Sequence, residues 1–170
     1  MSSKVFFLGS RAKVHTSPIE RYKKLIEMIG LGAFKENASV ALKIHFGEHG
    51  STGYIHPSYV RCMVDMLKAR KCIPFLTDTN TLYRGFRSNG ITHYELAVQN
   101  GFSYATVNAP IIIADGIKSS LVTDLPAGPN HFNSVKIGAV ILEADALISM
   151  NHFKGHLLTG FGGAVKNLSM

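Results

Sequence analysis

The chain of 170 residues carries only two cysteines, Cys62 and Cys72. They stand ten positions apart with no C-x-x-C, which fits neither a disulfide framework nor a zinc or iron-sulfur motif, so both read as free thiols. A secretory signal is missing too, because the apolar run Val5-Phe6-Phe7-Leu8 is cut short by Gly9, Ser10 and Arg11. The longest apolar stretch, residues 137–150, is broken by Glu143 and Asp145 and falls short of the roughly 20 residues a membrane helix needs. Together these absences predict a cytoplasmic protein with no membrane partner. Acidic residues are also scarce: eleven Asp and Glu face eighteen Lys and Arg, a net charge of +7 before the eight His are counted. That excess favours an anionic partner. Six of the basic residues (Lys4, Arg11, Lys13, Arg21, Lys23 and Lys24) fall in the first 24 positions and the rest are scattered. No further block resembles a nucleic-acid-binding arm, and nucleic acid is not expected as a partner.

What the sequence does have is a globular profile, 46% hydrophobic and 17% charged. A chain of this length buries roughly 70% of its unfolded surface without needing disulfides or a structural metal. Short apolar runs alternate with amphipathic ones, the pattern of βαβ units, so the expected fold class is α/β with a largely parallel sheet and flanking helices. Strands are expected at residues 4–8, 38–46, 73–77, 104–107 and 146–150. Ser17 caps an expected helix that opens with Pro18 and Glu20, and Gly30 and Gly32 end it. A second helix starts at Pro57 with an apolar stripe of Val60, Met63, Val64 and Leu67. A third covers 92–100, a short one 135–144, and a last one 164–168. Residues 111–122 read as short strands making an antiparallel excursion. The final helix has about two turns when the chain stops at Met170, too few to cover a sheet face. The expectation is a single α/β domain over 1–170 that forms the N-terminal part of a longer protein.

In open parallel sheets ligands bind beyond the carboxyl ends of the strands. Three expected strand ends carry titratable groups: His45 to His49, Asp78 to Asn80, and Asn151 to His156. Two share a pattern, His45-Phe46 followed by His49 and His152-Phe153 followed by His156, each with an intervening Gly and a charged residue. The four imidazoles His45, His49, His152 and His156 are candidate ligands of a divalent metal, or hydrogen-bonded structural side chains. Gly47 and Gly155 imply irregular backbone at both.

Lys154 and Lys166 flank Gly160, Gly162 and Gly163. Glycines that let backbone N–H groups approach an anion, with lysines beside them, suit a phosphate or carboxylate. The spacing is neither a Walker A loop nor a dinucleotide fingerprint. In the loop after the third strand, Asp78 reads as a base, a metal ligand or a turn cap, Asn80 as a ligand contact, and Arg84 with Arg87 as a carboxylate clamp. A nucleophile elbow is absent and neither Cys has a paired base, which disfavours covalent hydrolase chemistry.

Lys43-Ile44-His45-Phe46-Gly47-Glu48, the run from Asp78 to Gly85 with Arg87, and His152-Phe153-Lys154-Gly155-His156 followed by Thr159 to Ala164 and Lys166-Asn167 resemble the domain of unknown function 362 family. Its members commonly join an α/β region to a ferredoxin-like module with two iron-sulfur clusters. The resemblance implies clusters in the full-length protein, although this chain has no cluster ligands. It also implies as partners a missing C-terminal part of the same protein or an electron-transfer protein, beside a small anionic ligand. A distant similarity to lactate racemase-like proteins adds only the idea of a His/Lys site at strand ends. The first expectation is therefore a ligand- or metal-binding half of an iron-sulfur redox-type protein. The alternative is a racemase- or epimerase-like enzyme acting on a small hydroxy or oxo acid, with His45, His152 or Asp78 as catalytic candidates and Arg84 or Lys154 as the carboxylate anchor.

Overall fold

A computed structural model describes residues 3–9, 16–128 and 131–169. Its centre is a four-stranded sheet in the order β3-β2-β1-β6, formed by β1 (Ser39–Ile44), β2 (Ile73–Asp78), β3 (Ile111–Ile113) and β6 (Ala146–Met150). Every pairing in it is parallel. This is the α/β fold read from the sequence. β1 is buried almost throughout, as expected of a central strand covered on both faces. Its Val40, Leu42 and Ile44 pack with Ile148 and Met150 of β6, Leu76 of β2, and the apolar stripe of α2 (Pro57–Ala69) into one core.

Local signals account for the helices. In α1 (Pro18–Ile29) the Ser17 hydroxyl accepts from the Glu20 N–H while the Glu20 carboxylate accepts from the Ser17 N–H, a complete capping box followed by proline. Gly30, at φ +80°, closes it. α3 (Gly90–Gln99) is capped by Asn89 and begins two residues earlier than the apolar spacing suggests.

Three expected elements differ. Residues 4–8 form no strand: they pair with neither edge strand of the sheet, β3 or β6, and Val5 is 90% and Phe7 85% exposed. Residues 104–107 form the helical turn α4 (Tyr104–Val107) in place of a strand. Ser103 and Thr106 make a reciprocal capping box there, and Asn108 ends the turn in the left-handed region, so hydrogen bonding by short polar side chains overrides the strand-like composition. The expected helix over 135–144 divides. β4 (Val122–Pro126) and β5 (Ser134–Gly138) form an antiparallel pair, and only α5 (Ala139–Glu143) is helical. The antiparallel excursion thus lies slightly later than read, while residues 111–113 join the main sheet. A small hairpin, β7 (Lys154–His156) with β8 (Gly160–Gly162), and α6 (Ala164–Leu168) follow β6. Among the described residues no helix is long and apolar enough to cross a membrane.

Candidate functional site

Parallel pairing sets the C-terminal ends of β1, β2 and β6 side by side, Lys43 level with Thr77 on one neighbour and Ser149 on the other. The chain leaves these three ends at His45, Asp78 and Asn151, and all three residues line one cavity of about 310 Å³. The segment from His152 through the β7–β8 hairpin to α6 adds His152, Lys154, His156, Gly162, Gly163 and Lys166 to the lining. Segments more than a hundred residues apart therefore share a rim, as the strand-end reading requires.

Below that rim lies an ion-pair network that organises the floor. Lys43, 2% exposed, donates from Nζ to Asp78 Oδ1 at 2.7 Å. Asp78 Oδ2 faces Arg87 Nη1 at 3.5 Å and His93 Nε2 at 3.8 Å. Arg87, 1% exposed, also donates from Nε to Glu48 Oε1 at 3.0 Å, and the Tyr83 hydroxyl donates to the same oxygen at 2.9 Å. Burial works to raise the Glu48 carboxyl, but the bond and charge of Arg87 outweigh it and hold Glu48 below the usual carboxylate range. On the α6 side Asn167 Nδ2 donates to Lys43 O, Ser149 Oγ and Asn151 Oδ1, at 3.3, 3.2 and 2.8 Å, tying the last helix to the ends of β1 and β6.

The electrostatic balance is positive. Arg87, Lys154 and Lys166 line the cavity with Asp78 and Glu48, and these two carboxylates are paired with the buried Lys43 and with Arg87. Lys154 Nζ donates one hydrogen bond to Gly53 O at 2.8 Å, keeping two N–H bonds for another acceptor. Burial, then repulsion from Arg87, lowers the pKa of both Lys154 and Lys166.

Two histidines of the rim present donors. His45 Nδ1 accepts the Gly47 N–H at 3.0 Å, so a neutral His45 carries its hydrogen on Nε2. Burial, reinforced by Arg87 and Lys154, lowers its pKa to about 4, so it is neutral near pH 7. His156 Nδ1 likewise accepts from the N–H groups of Leu158 and Thr159, at 3.3 and 3.2 Å. An imidazole held in this way offers Nε2–H. It donates to an acceptor, whereas a proton-abstracting base or a metal ligand at Nε2 needs that nitrogen's lone pair.

Other candidates lie elsewhere. His49 is exposed and stacks on Phe86 at 4.9 Å between ring centroids, outside the cavity lining. Asn80 is buried beside the floor, donating to Asp115 Oδ1 and Gly116 O, and does not reach the cavity. Arg84 is exposed, and Arg87 takes the inward position expected of that pair. Gly160 sits at the turn end of β8 with φ +76°, away from the lining that Gly162 and Gly163 join. Among the described residues no three His, Cys, Asp or Glu side chains are grouped so as to hold a metal ion, so the four imidazoles do not meet as a set. Reasoning from composition gave no role to Lys43, Glu48, Tyr83, His93 or Asn167. Lys43 had a usable signal: a cation within an otherwise apolar central strand requires a buried partner.

The chain is an α/β protein with a cavity lined by lysine, arginine and histidine side chains at the carboxyl edge of its parallel sheet. The chain belongs to the family described as Domain of unknown function (DUF362), which matches over residues 40–170. No curated protein and no solved structure matches it significantly. Cys62 and Cys72 are free thiols, as read from the sequence. Both are buried, Cys62 in α2 and Cys72 ahead of β2 with its thiol donating to Lys35 O.

Proposed function

We propose that this chain is the anion-binding α/β part of its protein, taking a small molecule with a carboxylate or phosphate group into the cavity between the ends of β1, β2 and β6. The observation that carries the reading is the cation-rich lining: Arg87, Lys154 and Lys166 stand around the cavity, Lys154 uses one of its three N–H bonds, on Gly53 O, and the carboxylates Asp78 and Glu48 are held by Lys43 and Arg87. In this reading Lys154 and Lys166 supply the attraction, and the Nε2–H groups of His45 and His156 give it direction. Asp78 and Glu48 hold the cationic floor in place and leave the ligand's charge unopposed. The cavity, about 310 Å³, suits a compact ligand, at the low end of the usual range of about 300–1,000 Å³.

Calorimetric titration with sulfate, phosphate and malonate at low ionic strength tests this. Saturable binding that weakens with added salt is expected, and Lys154→Met and Lys166→Met should each reduce affinity about tenfold, the loss of one charge-assisted hydrogen bond. Failure of all three anions to bind, or binding that neither substitution weakens, overturns the proposal.

A further inference from the structure

Behind the cavity floor one buried ring nitrogen makes no hydrogen bond. His93, at 0% exposure, lies on α3 with its ring edge-on to Phe46. Its Nδ1 is 3.3 Å from Asn80 Oδ1. The amide of Asn80 is oriented by its own donations to Asp115 Oδ1 and Gly116 O, so Oδ1 is the acceptor and His93 Nδ1 must carry the hydrogen. A neutral His93 then turns the lone pair of Nε2 toward Asp78 Oδ2, 3.8 Å away, and Nε2 makes no hydrogen bond. Two buried acceptors face each other there, and the donor that Asp78 Oδ2 has is Arg87 Nη1 at 3.5 Å. In a fold that satisfies nearly every buried polar atom, such a pair calls for an explanation.

We propose that His93 and Asp78 form a buried proton-binding site, and that an anion entering the cavity drives uptake of one proton onto His93 Nε2, where it bonds to Asp78. The inference rests on the anion-binding reading of the same cavity. Asp78 lines the cavity on one side and meets His93 on the other, so its carboxylate is the path by which a solvent proton arrives. The balance is simple: an N–H bond forms at His93 and the buffer loses one proton, with no other bond changed.

The groups that set the proton affinity of His93 come from several elements. Burial and Arg87, in the short 3₁₀ turn Phe86–Ser88, disfavour the charged ring, while Asp78 of β2, Asp115 after β3 and Glu48 after β1 favour it. The result in the unliganded protein is a neutral ring, with a pKa lowered to about 4. Lys43 adds positive charge at Asp78. An anion in the cavity offsets the field of Arg87, Lys154 and Lys166. Burial is unchanged, but the carboxylates then weigh more in the balance around His93.

The test is titration with sulfate, which stays fully ionised over the range, at pH 5.5 in buffers of different ionisation enthalpy. Several tenths of a proton should be taken up per sulfate bound, falling toward zero above pH 7.5. His93→Asn, which keeps a donor toward Asn80, should still bind sulfate but lose most of that uptake. In the wild-type protein the ring ¹⁵N signal of His93 Nε2 should move to its protonated position on saturation, a measurement that does not depend on the variant folding. Sulfate binding without proton uptake, uptake that survives His93→Asn, or an unmoved Nε2 signal overturns the coupling alone. If sulfate does not bind, the anion-binding reading fails and the coupling fails with it.

Discussion

Replacing Lys43 by methionine removes the ammonium group and keeps an unbranched chain of similar reach. Asp78, also 2% exposed, then loses its 2.7 Å partner and retains the Thr79 N–H at 3.0 Å and Arg87 at 3.5 Å. Removing one member of a buried ion pair costs about 3–5 kcal/mol, because a desolvated charge is stranded. Arg87 still screens Asp78, which places this case near the low end, about 3 kcal/mol. For a chain of this size each kcal/mol moves the midpoint by about 2–4 °C, so Lys43→Met should melt about 6–12 °C below wild type. Thermal denaturation followed by circular dichroism reads this directly. The double variant Lys43→Met with Asp78→Asn removes both charges and should recover at least about half of the loss. A single variant within about 2 °C of wild type, or a double variant no more stable than the single, would refute the view that this pair organises the floor.

Stability should also depend on pH in a defined direction. His45 and His93 have folded pKa values near about 4 against an ordinary 6.5, so the unfolded chain binds more protons between those limits. Stability is therefore fully present above about pH 6.5 and declines as the pH falls toward 4; urea midpoints that do not drop between pH 7 and 4.5 contradict it. Gly90→Ala puts a Cβ 2.6 Å from the Gly116 carbonyl oxygen, a backbone atom at the first turn of α3, and should destabilise by about 1–3 kcal/mol in chemical denaturation. An unchanged midpoint would show that the α3 contact is looser than described. Gly47→Ala meets both a positive φ of +98° and the Tyr54 ring at 2.5 Å. It should displace the N–H that holds His45 Nδ1, so NMR of the His45 ring should show a loss of the Nε2–H tautomer at pH 7. Retention of that tautomer counts against the backbone bond as its cause.

Much of the scaffold could be read because its determinants are local. Ser17, Pro18 and Glu20 spell out the start of α1, and the stripe from Val60 to Leu67 allows one packing face. Apolar runs at 38–46, 73–77 and 146–150 have the continuity of parallel strands, and the strands β1, β2 and β6 lie within or close to them. The errors come from the same reasoning applied where context decides. Residues 4–8 have the composition of a strand, but a strand exists only by pairing, and no edge receives them. At 104–107 two short polar side chains in a capping box outweighed strand-like residues.

For the site, the sequence by itself determined the inventory and the location: lysines and imidazoles directly after apolar runs, hence at the carboxyl edge of whatever parallel sheet those runs build. Which of them meet was decided only by tertiary structure. Strand order and register brought His45, Asp78 and His152 to one rim, turned Arg87 inward while leaving Arg84 in solvent, and stacked His49 on Phe86 away from the cavity. The proton positions were decided there too, because the tautomer of His45 depends on a backbone N–H at Gly47 and that of His93 on an amide oriented by Asp115. Hydrogen-bond direction and charge compensation depend on distances of a few ångströms between chain-distant atoms, and linear order carries no record of those distances until the chain has folded.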